Sequence, residues 1–136
     1  SSSLRVLSRM MSTHAIVLLS LLAVSYACSC GESTAKEIFC RSDFVSKVRI
    51  SHEMSNSRLS VYTVKHLHVF KKPDDEALGT EVVTATQSAT CGVNLYEGQD
   101  IVIAGTIHHG HLFITACSTI EPDFETAQFA KIACPT

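Results

Sequence analysis

The sequence has no tryptophan, only three prolines, and no apolar run long enough to cross a bilayer. A membrane-spanning helix needs roughly 20 apolar residues, about twice the longest run found here. The sequence also has no His-Glu-x-x-His motif, no glycine-rich nucleotide loop, no recognisable nucleophile-base pair and no Asn-x-Ser/Thr acceptor for N-glycosylation. We therefore expect a protein that is not an enzyme and carries no N-linked glycan.

Basic residues are also in short supply. The chain has 11 Lys and Arg against 13 Asp and Glu, and removing Arg5 and Arg9 leaves 9 basic residues from Cys28 onward, a balance of -4. A nucleic-acid-binding domain usually presents a strongly basic face. The charge balance therefore argues against a nucleic-acid partner.

The apolar run lies within residues 11–27, after Arg5 and Arg9 and before the small residues Ser25 and Ala27. This arrangement is typical of a secretory signal peptide cleaved after Ala27, and the run is too short for the alternative, a membrane anchor. We predict a signal peptide with upstream leader at 1–27 and one domain at 28–136. The protein would be secreted and free of the membrane after cleavage, with either methionine of the Met10-Met11 pair as a possible start.

All six cysteines follow the predicted cleavage point: Cys28, Cys30, Cys40, Cys91, Cys117 and Cys134. In an oxidising compartment an even number of cysteines predicts disulfides, here three. Six cysteines can pair in 15 ways, so their number and order leave the connectivity open.

Alternation of apolar and polar residues predicts five strands, at 44–50, 59–70, 81–86, 100–106 and 111–118. We expect a polar connection at 51–60 and a hairpin between the last two strands, where Gly110 can adopt positive φ. Several short strands in series indicate a mainly β barrel or sandwich.

The pattern changes after Ile120. Pro122 suits a first helical turn, and the charges that follow suit the two ends of a helix. We predict a short C-terminal α-helix, with these side chains facing the barrel: Phe124, Ala127, Lys131 and Cys134.

The most informative motif is Cys28-Ser29-Cys30, with Cys40 ten residues further on. Together with 40–45 (Cys-Arg-Ser-Asp-Phe-Val), Cys91-Gly92, 103–105 (Ile-Ala-Gly) and 112–118 (Leu-Phe-Ile-Thr-Ala-Cys-Ser), it resembles the tissue inhibitors of metalloproteinases. The resemblance covers nearly the whole of 28–136.

The resemblance implies the netrin-like fold, a five-stranded OB-type Greek-key β-barrel with a C-terminal α-helix. It also selects one pairing of the cysteines: Cys28–Cys91, Cys30–Cys117 and Cys40–Cys134. Its implied function is a secreted, monomeric inhibitor of an extracellular zinc metalloproteinase, a matrix metalloproteinase or a related enzyme.

In that family the first residue of the mature chain chelates the catalytic zinc of the enzyme through its α-amino nitrogen and carbonyl oxygen. Here that residue would be Cys28, and Ser29 would enter the specificity pocket beside the zinc. The resemblance assigns the protease-binding surface to Cys28, Ser29, Cys30 and Gly31, with a second edge at Ser88, Ala89 and Thr90. The protein would need no cofactor of its own, since the zinc belongs to its target.

Elementary chemistry is compatible with this role. A free α-amino group has a pKa of about 7.7–8, so part of it is neutral near physiological pH and can donate its lone pair to zinc. A catalytic zinc keeps one coordination position open. With its sulfur in a disulfide, Cys28 would offer zinc only main-chain atoms.

Two alternatives compete with this interpretation. One is a metal site formed by histidines, namely His66, His68, His108, His109 and His111. Compositional evidence of this kind is weak, and we expect half-exposed side chains without a metal.

The other alternative concerns the function, a netrin-like binding module without inhibitory activity. It would recognise another extracellular or host protein through the histidine-rich hairpin or the charged loop at 71–76.

Overall fold

The computed structural model describes residues 12–19, 28–87, 90–120 and 126–135. Residues 12–19, inside the predicted signal peptide, form an exposed helix, α1. Within the described ranges, no helix is both long enough and apolar enough to span a membrane. Ser88, Ala89 and residues 121–125, which include Pro122 and Phe124, lie outside the described residues.

Five strands form the body of the domain: β1 (Phe44–Ser55), β2 (Leu59–Lys71), β3 (Glu81–Ala85), β4 (Asp100–His108) and β5 (His111–Phe113). They close into a barrel in the order β1-β2-β3-β5-β4. The β3–β5 pair is parallel and the others are antiparallel. The predicted mainly β, five-stranded Greek-key barrel is confirmed.

The inside of the barrel is filled by alternate residues of the strands. Phe44, Val48 and Ile50 all point into this core, as the alternation in the first strand predicts. Tyr62 is also buried there, and its hydroxyl accepts a hydrogen bond from the Leu95 amide (3.2 Å) and donates to the Val93 carbonyl (3.4 Å). The segment before β4 is thereby held against the barrel.

A helix that the sequence analysis did not predict, α2 (Ala35–Arg41), packs outside the barrel. Ile38 of this helix joins a second apolar cluster with Val45, Val102, Ala104, Ile120 and Phe129. Val45 and Val102 lie on the outer faces of their strands, each next to a residue that points into the barrel core. Both faces of β1 and β4 are therefore covered, and their alternation of apolar and polar residues is weak at these positions.

Two strand boundaries differ from the prediction. β1 continues to Ser55, so most of the predicted polar connection at 51–60 is an antiparallel hairpin with β2, with a register shift between Ile50 and His52. The turn is short because the Asn56 side chain accepts hydrogen bonds from the Arg58 and Leu59 amides, both at 2.8 Å. β5 ends at Phe113, because Thr115 caps a 3₁₀ turn, Ala116–Ser118, that takes the chain away from the sheet.

The C-terminal helix ends earlier than predicted, and for the described residues its predicted face is wrong. Its described part, α3, is one turn, Thr126–Phe129. Phe129 and Ile132 pack toward the second cluster, whereas Ala127, Lys131 and Cys134 are exposed. Since the helix ends at Phe129, helical spacing no longer places residues 127, 131 and 134 on one face.

The three disulfides are those that the resemblance selects. Cys28 pairs with Cys91, Cys30 with Cys117 and Cys40 with Cys134, with Cα–Cα distances of 5.1, 5.3 and 5.4 Å. These distances are typical of protein disulfides. The first two link the chain at residues 28–30 to the barrel, and the third links α2 to the C-terminal segment.

Candidate functional site

The segment that follows the predicted cleavage point, residues 28–33 (here called the N-terminal segment), is held to the barrel by two neighbouring disulfides. Its cysteines bond to Cys91 and Cys117, which are 63 and 87 residues away in sequence. The Sγ atoms of Cys28, Cys91 and Cys117 all lie within 4.8 Å of one another, so the two bridges are side by side. The main chain from Cys28 to Cys30 is therefore fixed at both ends.

Between and beyond these attachments the segment is open to solvent. Cys28 is half-buried, whereas Ser29, Cys30 and Gly31 are exposed. A Cβ added to Gly31 would meet no atom within 4 Å. The structure thus presents three of the four predicted N-terminal site residues on an exposed edge that covalent bonds hold in place.

Arg41, at the end of α2, makes a further attachment to this segment. Its guanidinium donates to the Ser33 hydroxyl (3.2 Å) and to the Cys117 carbonyl (2.7 Å). It therefore joins the N-terminal segment to the chain that carries the second disulfide. Arg41 belongs to the motif that carries the resemblance, but we did not predict this role.

One sequence signal could have located α2. The Thr34 hydroxyl accepts from the Glu37 amide (3.2 Å), and the Glu37 carboxylate accepts from the Thr34 amide (3.1 Å). This reciprocal pair is a capping box, and its Thr-x-x-Glu pattern is visible at 34–37. Recognising it would have placed Arg41 in the last turn of a helix.

The second edge begins at Gln87, two residues after the end of β3. Its carbonyl accepts from the Thr90 amide (3.1 Å), the Thr90 hydroxyl (2.9 Å) and the Gly92 amide (3.1 Å). Thr90 is exposed, so this predicted site residue is accessible next to the first disulfide. Ser88 and Ala89, predicted with it, lie outside the described part of the chain.

Local backbone geometry fixes the way the chain passes from the second edge to the first disulfide. Cys91 has a φ of 62°, in the left-handed region. A Cβ on the next residue, Gly92, would overlap the carbonyl oxygen of Ala85. The Cys91 carbonyl then accepts from the Ala116 amide at 2.9 Å, which connects this turn to the chain just before Cys117.

The tip of the β1–β2 hairpin supports the second edge from the other side. The Thr86 amide donates to the Arg58 carbonyl (3.0 Å), and its hydroxyl donates to the Asn56 carbonyl (2.9 Å). The candidate site is therefore continuous from the N-terminal segment to Thr90, and the hairpin tip flanks it.

An ion pair between β1 and β4 shifts the pKa values of both of its members. The Arg49 guanidinium donates to both carboxylate oxygens of Asp100, at 2.8 and 2.9 Å. These hydrogen bonds, aided by the guanidinium charge, lower the pKa of Asp100 below its ordinary value of 3.8. Asp100, in turn, raises the pKa of Arg49 through the same hydrogen bonds.

Among the described residues, the group of three potential metal ligands within 4.8 Å is Cys28, Cys91 and Cys117. Their sulfurs are all in disulfides, so none is a thiolate that could bind a metal. His66 has other partners: its Nδ1 lies 2.8 Å from the Ser46 hydroxyl and its Nε2 lies 2.7 Å from the Gly79 carbonyl oxygen. This ring connects β1, β2 and the loop before β3.

Three further histidines, His68, His108 and His111, pack against aromatic rings or face each other. The His68 ring lies 4.6 Å from that of Phe70, and the His108 ring meets the edge of Phe113 at 5.7 Å. His108 and His111 are opposite each other on β4 and β5.

Comparison with known proteins places this chain in a family. Residues 26–134 match the family described as "Tissue inhibitor of metalloproteinase". A Caenorhabditis elegans protein named "Putative metalloproteinase inhibitor tag-225" is 30% identical over 126 residues, which cover 83% of this chain and 80% of that protein.

Two mammalian relatives are similar at the same level. "Metalloproteinase inhibitor 2" of Rattus norvegicus is 31% identical and that of Homo sapiens 30% identical, each over 120 residues that cover 79% of this chain. The chain spans about half of each mammalian relative, 54% of its length. With the match from residue 26 to 134, the closed barrel and the three disulfides, this chain belongs to the tissue inhibitor of metalloproteinase family.

Proposed function

We propose that this protein inhibits zinc metalloproteinases, and that the α-amino nitrogen and carbonyl oxygen of Cys28 bind the catalytic zinc of the enzyme. One observation carries the proposal: two adjacent disulfides hold an exposed N-terminal segment against the barrel. Membership of a family described as inhibitors of metalloproteinases supports the same activity.

The proposed ligand exists only if the mature chain begins at Cys28, which the signal-peptide prediction provides. The neutral fraction of an α-amino group with a pKa near 8 has a lone pair for zinc. The Cys28 sulfur is already bonded to Cys91 and cannot compete for the metal. The main chain is then the zinc-binding element, and it would displace water from the open coordination position.

The other site residues would determine the fit to the enzyme. Ser29, exposed between the two bridges, would enter the specificity pocket, with Cys30 and Gly31 continuing the contact along the cleft. Thr90, with Ser88 and Ala89, would contact the enzyme beside the first disulfide. We propose that the protein acts as a secreted monomer on an extracellular metalloproteinase and requires no cofactor of its own.

Rigidity is what the disulfides would contribute to affinity. Ordering a flexible side chain at an interface costs about 0.5–1.5 kcal/mol, and ordering a loose main-chain segment adds to that. The two bridges and the hydrogen bonds from Arg41 fix the segment before binding. Much of this cost therefore falls on the folding of the inhibitor rather than on the association.

The decisive experiment compares protein that begins at Cys28 with the same protein carrying one additional alanine before it. An extension converts the amine into an amide, which cannot bind zinc as a neutral amine does. We expect inhibition across a panel of zinc metalloproteinases to weaken by more than about a hundredfold, which corresponds to about 2.7 kcal/mol.

The matched control carries one additional alanine after Thr136, and N-terminal sequencing must first establish that each preparation begins at a single residue. Equal inhibition by the native and the N-terminally extended proteins would reject chelation by Cys28. Binding without inhibition, unaffected by the extension, would instead support the non-inhibitory binding module.

A further inference from the structure

The two disulfides of the N-terminal segment are close enough to exchange partners. The Sγ atom of Cys117, bonded to Cys30, lies within 4.8 Å of both sulfurs of the Cys28–Cys91 bridge. Thiol–disulfide exchange requires a thiolate to reach a disulfide sulfur, and these sulfurs are already neighbours in the folded protein. The two bridges can therefore react as one unit.

The main chain favours one particular alternative pairing. The Ala116 amide donates to the Cys91 carbonyl at 2.9 Å, so Cys91 and Cys117 lie on two segments that are already bonded to each other. Cys28 and Cys30 are separated only by Ser29. A Cys91–Cys117 bridge with a Cys28–Cys30 bridge would join only residues that lie outside the barrel strands.

Exposure indicates where an external thiol would enter. Cys30 is exposed, whereas Cys28, Cys91 and Cys117 are half-buried. Attack at the Cys30 sulfur also releases Cys117, the cysteine next to the second bridge. Access and the position of the leaving group thus select the same first step.

We propose that this sulfur cluster is a site of attack by a small monothiol, which isomerises the two disulfides and frees the N-terminal segment from the barrel. The external thiolate bonds to Cys30 and expels the Cys117 thiolate. Cys117 then bonds to Cys91 and expels the Cys28 thiolate. Cys28 bonds to Cys30 and expels the external thiolate, so the thiol is regenerated and no net oxidation or reduction occurs.

The consequence for activity rests on the proposed function. In the isomer the N-terminal segment has no covalent link to the barrel before α2, and the Cys28 amine is no longer presented at a fixed position. The Cys40–Cys134 bridge and the barrel core are untouched. Inhibition is lost while the fold remains.

The test is disulfide mapping of the mature protein after anaerobic incubation with reduced glutathione, acid quenching and alkylation. We expect peptides joined through Cys91–Cys117, together with a Cys28–Cys30 peptide, at an unchanged total number of free thiols. The rate should rise with glutathione concentration, whereas the final extent should not. Far-UV circular dichroism should remain that of the untreated protein.

A map that contains only native pairs and reduced cysteines would overturn the proposal. Cys28–Cys117 with Cys30–Cys91 would also overturn it, because that isomer keeps the segment attached. The variant with Cys30→Ser and Cys117→Ser should show only reduction of the first bridge, with consumption of thiol. The matched control, Cys40→Ser with Cys134→Ser, should isomerise at the wild-type rate.

The disulfide map is obtained without any target metalloproteinase, so the two proposals fail separately. An isomer that inhibits as strongly as the native form would contradict the role of the fixed segment and leave the exchange reaction intact. A native protein without inhibitory activity would contradict the proposed function and would likewise leave the exchange reaction intact.

Discussion

Gly92 shows how one missing side chain shapes the candidate site. It follows Cys91, whose left-handed backbone turns the chain, and it passes so close to Ala85 that a Cβ would overlap the carbonyl oxygen of that residue. The obstacle is backbone of β3, which cannot rotate away as a side chain can. The position requires glycine for space rather than for its dihedral angles.

We therefore expect Gly92→Ala to lower the free energy of unfolding by about 3 kcal/mol, the upper part of the usual range for overpacking. Urea denaturation followed by circular dichroism would measure it. Gly31→Ala is the matched control, because a Cβ there meets nothing within 4 Å, and its stability should equal that of the wild type. A Gly92→Ala protein of unchanged stability would show that β3 yields easily at Ala85.

Asp100 provides a prediction with a defined sign. Hydrogen bonds from Arg49 lower its pKa in the folded protein below the ordinary 3.8. The carboxylate therefore contributes stability that is complete above that value and is lost as the pH falls through the lowered pKa. Because the pair is exposed, its contribution is small and decreases with added salt.

In low salt, Asp100→Asn should destabilise the protein at neutral pH and have less effect at a pH below 3.8, because the stabilising contribution of the carboxylate is lost as the pH falls through the lowered pKa. Urea midpoints at the two pH values would show the difference. Asp75→Asn, which removes an exposed loop carboxylate, is the control of equal charge. A midpoint difference that grows on acidification would contradict the assigned direction.

At the scale of the element, α2 connects the stability of the domain to its candidate site. The helix has seven residues, too few to be stable alone, and depends on its cap and on packing through Ile38. It carries Arg41 toward Ser33 and Cys117, and Cys40 toward Cys134. A weaker cap should therefore affect both stability and inhibition.

Thr34→Ala removes the hydroxyl that accepts the Glu37 amide, and we expect a loss of about 1 kcal/mol in unfolding free energy. Inhibition should weaken only slightly, since the two disulfides still hold the N-terminal segment. Thr34→Ser keeps the cap and should behave as wild type in denaturation and in inhibition assays. Equal losses in both variants would assign the effect to the threonine methyl group rather than to the hydrogen bond.

Periodicity predicted the elements better than their ends. All five strands exist where alternation placed them, because a half-buried strand needs an apolar residue at every second position. The ends of β1 and β5 were wrong, because side chains of Asn56 and Thr115 set them through local hydrogen bonds. The face of α3 was also wrong, since it depends on where the helix stops.

For the whole molecule, the third disulfide has a different role from the first two. Cys40–Cys134 closes the longest interval, 94 residues, and ties α2 to the segment after α3. It is not part of the cluster formed by Cys28, Cys91 and Cys117. Its main effect should be on global stability rather than on the N-terminal segment.

Replacing Cys40 and Cys134 by serine should therefore lower unfolding free energy by about 2–5 kcal/mol, as expected for loss of a native bridge in a small domain. Below its unfolding temperature the variant should still inhibit. Thermal denaturation and inhibition assays on one preparation would test both statements. Loss of inhibition by a variant that remains folded would mean that the third bridge also positions the N-terminal segment.

Residue types and their spacings along the chain were sufficient to predict the mainly β class and the approximate strand positions. They also carried a family resemblance specific enough to imply the disulfide pairing. Only the tertiary structure placed the Arg41 guanidinium on the Cys117 carbonyl, 76 residues away, and three cysteine sulfurs within 4.8 Å of one another. Such contacts follow from strand register and barrel closure, which combine small preferences over the whole chain, and no local pattern records them.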